Sequence, residues 1–148
     1  MKAKIATLVA ALSIAALPLP APLAPASARA DQVVTPFTET HFTHAAFAAA
    51  QAAGKPILVE IFATWCPTCA AQKQVIDPLL KTPEFKDLVV LRVDFDGQKA
   101  VVREFGARMQ STLFAFRGHE ARGGVVGETD PAALHAFLAK AMAAPTKG

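Results

Sequence analysis

Two side chains in this sequence of 148 residues combine nucleophilic chemistry with a spacing that makes them a pair: Cys66 and Cys69, its only cysteines. A Cys-x-x-Cys pair can cycle between dithiol and disulfide, and the thiolate is the species that attacks sulfur–sulfur bonds. The same spacing makes a weak structural staple, because closing so short a loop constrains the unfolded chain little. The elements that would position the pair can be read on either side of it. The apolar run Ile57-Leu58-Val59-Glu60-Ile61-Phe62-Ala63 reads as a buried strand, and Ala70-Ala71-Gln72-Lys73-Gln74-Val75-Ile76 contains good helix formers. The cysteines therefore sit where a strand ends and a helix begins. With Cys66 as N-cap and Pro67 at the first helical position, the Cys66 sulfur faces the free N–H groups of the first turn. Both the helix N-terminus and the Cys-x-x-Cys spacing favour its thiolate.

Trp65-Cys66-Pro67-Thr68-Cys69 and its setting resemble the thioredoxin-fold thiol–disulfide oxidoreductases, for which a lowered cysteine pKa is a reference case. From Gly54-Lys55-Pro56 to the last helix, the order of elements is similar to thioredoxin. It is most similar to the C-terminal thioredoxin domain of the membrane-spanning thiol:disulfide interchange proteins, and Cys-Pro-Thr-Cys also resembles the reductants of cytochrome c maturation. The resemblance implies a redox-active disulfide with Cys66 as nucleophile and Cys69 as resolving thiol. It also implies protein thiol or disulfide substrates and a membrane-embedded electron donor, with no cofactor and no resident metal.

Glu60 is the third expected catalytic residue, because a carboxylate inside a continuous apolar strand costs free energy unless something offsets it. Thioredoxins place a buried acid here, so by resemblance Glu60 relays, through water, the proton that Cys69 loses. The alternatives are an ion pair to Lys55 or Arg92, or an edge position in water. Trp65 is expected to cover the motif and shield the sulfurs. Thr68 offers only a hydroxyl where oxidising members of the superfamily often carry His, which favours a less oxidising pair and hence the reducing direction. Thioredoxins also carry a cis-proline facing the sulfurs. Aligning Phe105 to Leu113 with that segment puts Ser111 in its place, so a trans Gln110–Ser111 bond is predicted. Trp65, Pro67, Thr68, Gln110 and Ser111 form the expected substrate-facing shell. Without the proline ring, looser substrate docking and room for a metal on the thiolates are expected. Two readings therefore stand beside the reductase: an oxidase or isomerase, and a metal-binding or non-catalytic module of the same fold. His41, His44, His119 and His135 match no common zinc spacing with the cysteines and read as surface or helix-packing residues.

Lys2 and Lys4 precede the apolar stretch Ile5 to Leu17, and a proline-rich segment then ends in Ala28-Arg29-Ala30. This pattern predicts a secretory signal peptide over residues 1–30, cleaved near Ala30, and a periplasmic location. Residues 31–148 then form one thioredoxin-like domain, expected to be monomeric. Losing Lys2, Lys4 and Arg29 leaves 12 basic against 12 acidic residues, so the sequence pI of 9.1 belongs in part to the leader. No basic stripe or aromatic platform argues for nucleic acid. Within the domain, the sequence predicts an edge strand in Asp31 to Phe37 and a helix through His44 to Gln51 capped by Thr40 or Thr43. After the motif helix, which Asp77-Pro78 should kink or restart, come a capped turn at Thr82 to Phe85 and a strand at Leu88 to Val93. A short helix from Gln98 to Phe105, strands at Thr112 to Phe116 and Ala121 to Val126, and a helix capped by Thr129 or Asp130 complete the chain. Strands alternating with helices, then a hairpin and a last helix, argue an α/β thioredoxin fold: a three-layer α/β/α sandwich with a central mixed sheet.

Overall fold

The computed structural model describes residues 40–145. The expected signal peptide and the expected strand at Asp31 to Phe37 lie outside the described residues. Five strands, β1 (Thr40–His41), β2 (Pro56–Phe62), β3 (Val89–Asp94), β4 (Thr112–Arg117) and β5 (Glu120–Val126), form one sheet in the order β1-β3-β2-β4-β5. β1 and β2 flank β3 in parallel, whereas β4 runs antiparallel to both β2 and β5. The sheet is therefore mixed, as expected. Four helices, α1 (His44–Ala52), α2 (Pro67–Leu80), α3 (Lys99–Glu104) and α4 (Pro131–Met142), complete the fold.

Alternation along β2 divides the core into two. Ile57, Val59 and Ile61 pack with Phe42, Ala50, Val101 and Val102 under α1 and α3. Leu58 packs on the opposite face with Ile76, Leu80, Leu134, Phe137 and Leu138 of α2 and α4. A strand buried on both faces has no polar side, which accounts for its continuous apolar run. Glu60 shares the parity of Leu58 and so projects toward α2.

Local chemistry sets the helix ends. Thr43, not Thr40, caps α1 by accepting from the Ala46 N–H, and Asp130, not Thr129, caps α4 by accepting from Ala133. Gly54 and Gly106 follow α1 and α3 at φ +63° and +67°. One expectation fails here: α2 is not restarted at Asp77-Pro78 but runs through Pro78 to Leu80. Pro78 lies two residues from the helix end, where one missing backbone hydrogen bond interrupts little.

Candidate functional site

The site is built where β2 ends and α2 begins. Cys66 is the N-cap of α2, with φ −88° and ψ 113°, and its Sγ accepts from the Cys69 N–H at 3.1 Å. Pro67 occupies the first turn, as the sequence predicts. The sulfur thus does the work that a Ser or Asp oxygen does at other helix starts. Both cysteines are free and both residues are buried, Cys66 at 3 % and Cys69 at 8 % exposure. They cluster with Ala63, and Phe62 and Phe95 pack against them.

The loop before β4 closes the site from the other side. Ser111 places its Oγ 3.1 Å from the Cys66 Sγ and 3.3 Å from the Cys69 Sγ. The Gln110–Ser111 peptide is trans, as expected, and Ser111 sits at φ +59°, a region that costs a residue with a Cβ free energy. The Ser111 hydroxyl faces both sulfurs where the proline ring of the family would stand. Among the described residues, no group of three or more His, Cys, Asp or Glu is arranged to hold a metal ion. Gln110 is half-buried beside Ser111.

Trp65 lies at the surface beside the motif. It is 59 % exposed, and its Nε1 donates to Asp96 Oδ2 at 2.7 Å. The turn that carries Asp96 holds the indole, and Ser111, Ala63, Phe62 and Phe95 pack around the pair. Thr68 contributes its backbone N–H to the Cys66 sulfur. The histidines lie apart from the site: His41 and His119 are exposed, while His44 and His135 face Glu104 and Glu84 at 2.8 and 3.0 Å.

The two thiols differ in acidity. Burial alone would raise the Cys66 pKa. Hydrogen bonds from the Cys69 thiol, the Ser111 hydroxyl and the Cys69 and Thr68 N–H groups outweigh it and leave the thiol below its ordinary value. Burial raises Cys69, and the hydrogen bond to Cys66 and the charge there raise it further, beyond what Ser111 and the Ala63 backbone offset. Near neutral pH, Cys66 is therefore expected to be alkylated first and Cys69 much more slowly, as timed iodoacetamide labelling and mass mapping would show. Reactivity here follows from thiolate character, since both residues are buried.

Glu60 lies below. It forms an ion pair with Arg92, Nε to Oε2 at 3.1 Å, and the Arg92 guanidinium stacks on Phe62, 3.9 Å from the ring centroid. Glu60, Cys69, Gln72 and Arg92 also line a pocket of about 10 Å³, room for one water. The ion pair and the place beside Cys69, weighed as alternatives from sequence, coexist.

Sequence reasoning missed Gln72. It is buried at 4 % exposure, and its Nε2 donates to the Ser111 carbonyl at 3.2 Å and the Glu128 carbonyl at 2.9 Å. The available signal was its place on the buried stripe of α2, Cys69, Gln72, Ile76 and Leu80, where an apolar residue is the rule.

A dithiol at a strand-to-helix junction, facing a loop before an antiparallel strand in a mixed five-stranded sheet, defines a thioredoxin-fold thiol–disulfide oxidoreductase. The thioredoxin family model matches residues 36–140, and the chain belongs to the thioredoxin family. Thioredoxin Asp f 29 of Aspergillus fumigatus is 34% identical over 77 residues, 52% of this chain and 70% of that protein. The structure of Trxlp from Edwardsiella tarda is 42% identical with a TM-score of 0.66, covering 68% of this chain and 98% of that one. Malassezia sympodialis thioredoxin superposes with a TM-score of 0.62 at 26% identity, over 71% and 93% of the two chains.

Proposed function

We propose that this oxidoreductase reduces protein disulfides outside the cytoplasm, as a monomer recharged by a membrane-embedded electron donor. One observation carries the reaction assignment. The Cys66 sulfur collects N–H donors at a helix start, while Cys69 lies beside a pocket that also holds a carboxylate. Cys66 attacks a substrate disulfide as thiolate, so a Cys66–substrate bond forms and one substrate sulfur leaves. Cys69 then loses its proton, through a water in the pocket, to Glu60 and attacks the Cys66 sulfur, releasing the second substrate thiol. The substrate gains two electrons, and the protein becomes the Cys66–Cys69 disulfide. Pro67, Thr68, Gln110 and the exposed Trp65 line the approach.

The reducing direction is supported by Thr68, which adds no positive charge to stabilise the thiolate. Titration against glutathione should give a potential near the roughly −270 mV of thioredoxins; a value near the about −120 mV of strong oxidants would reverse the assigned direction. Export is supported by the Lys2/Lys4, Ile5–Leu17 and Ala28-Arg29-Ala30 pattern. N-terminal sequencing of the protein from an exporting host should begin at Asp31, and an intact Met1 would overturn it.

A further inference from the structure

We propose that the Ser111 hydroxyl is a catalytic hydrogen-bond donor that serves the two sulfurs in turn, first the Cys66 thiolate before attack and then the Cys69 thiolate during resolution, with Gln72 as its positioning residue. The proposal rests on the assignment of Cys66 as nucleophile and Cys69 as resolving thiol. Its ground is a juxtaposition: one buried hydroxyl lies 3.1 Å from one reacting sulfur and 3.3 Å from the other. A serine hydroxyl carries a single proton, so it can donate to only one of them at a time. Moving that proton from one sulfur to the other requires rotation about the Cβ–Oγ bond alone.

The reaction supplies the reason to turn. While Cys66 is a thiolate it is the stronger acceptor, and it already receives the Cys69 N–H. Once Cys66 is bonded to the substrate sulfur, its charge has left with the departing substrate thiolate. The hydroxyl is then released to the thiolate forming at Cys69. Ser111 itself neither gains nor loses a proton; the Cys69 proton goes to the pocket water and Glu60, and the electron pair of the new Cys69–Cys66 bond displaces the substrate thiolate.

The backbone around Ser111 is held as this role requires. Its carbonyl accepts from Gln72 Nε2 at 3.2 Å and from the Gly127 N–H at 2.8 Å, and the Thr112 hydroxyl donates to the Met109 carbonyl at 2.8 Å. These bonds hold Ser111 at φ +59° and aim its side chain at the sulfurs. A strained serine anchored by a buried amide, with its hydroxyl on both reacting atoms, matches the pattern of strain retained where function uses it.

Ser111→Gly tests the hand-over, because glycine adopts this φ freely and the variant loses the hydroxyl together with its single methylene. Reaction of the reduced full-length protein with 5,5′-dithiobis(2-nitrobenzoate) releases one thionitrobenzoate on attack and a second on resolution, so the two steps are read separately. Both are expected to have pH midpoints about one unit higher in Ser111→Gly. At pH 6 both should be roughly threefold slower, since a tenfold loss of thiolate is partly offset by the greater nucleophilicity of a more basic thiolate. A shift in only one step, or in neither, overturns the hand-over. Gln72→Met retains bulk but removes both donors, and it should raise the midpoint of the first step with the circular-dichroism spectrum unchanged; an unmoved midpoint removes Gln72 from the scheme. If Cys66→Ser still released the first thionitrobenzoate, the nucleophile assignment itself would fall, a result independent of position 111.

Discussion

Cys66→Ser is expected to reduce disulfide exchange to the rate seen without protein, whereas Cys69→Ser should complete the first half of the reaction and stop. The asymmetry follows from the helix start. At position 66, three donors besides the Cys69 thiol converge on the sulfur: the Cys69 N–H, the Thr68 N–H and the Ser111 hydroxyl. A serine oxygen there would keep the cap but remain protonated, and a hydroxyl is a poor nucleophile toward sulfur without a strong base. At position 69, the loss leaves attack intact and removes only the resolving thiolate. Cys69→Ser should therefore accumulate a covalent adduct with a disulfide substrate, visible by non-reducing electrophoresis or mass spectrometry and cleared by dithiothreitol. An adduct in Cys66→Ser and none in Cys69→Ser would exchange the two roles.

The second large effect concerns Glu60→Gln, for which two consequences are expected. Resolution of mixed disulfides should slow by roughly tenfold or more across pH 6 to 9, the usual scale for losing a positioned proton acceptor, while the first step stays near the wild-type rate. Stability should also fall. Removing a costly buried charge would by itself favour the fold, but here the carboxylate faces the Arg92 guanidinium at 3.1 Å with both side chains mostly covered. Removing one partner of such a pair leaves a covered charge less well compensated. Partial exposure and the stacking of Arg92 on Phe62 limit the loss to about 1–2 kcal/mol, a fall in Tm of about 4–8 °C per kcal/mol for a domain of this size. Unchanged resolution kinetics would end the relay, and an unchanged Tm would show that the ion pair contributes little.

What was legible in the sequence is what is local. Cys66, Pro67 and Cys69 announce the helix start because capping and the first-turn proline depend on neighbours within three residues. From α1 onward the order of elements followed from periodicity, with ends displaced by a residue or two, whereas the two-residue β1 at Thr40–His41 was not anticipated. What was not legible depends on contacts between distant segments. The partner that fixes the Trp65 indole, Asp96, lies 31 residues on. Ser111 reads as a missing ring until the fold sets its hydroxyl against both sulfurs. Gln72 lies among ordinary helix formers, and only its place on the buried stripe hints at the carbonyl it meets 39 residues later. Pro78 misled in the opposite sense, because a local helix breaker near a helix end interrupts little.

That Cys66 caps its own helix ties the fold to the electron balance of its surroundings. Any free energy by which the folded chain favours the dithiol over the disulfide must reappear, through a closed thermodynamic cycle, as extra resistance to unfolding in the reduced protein. About 1.4 kcal/mol in one quantity corresponds to about 30 mV in the other. Denaturant titrations of the two redox forms, with no redox buffer present, thus report how far the folded structure displaces the pair's potential from that of the unfolded chain.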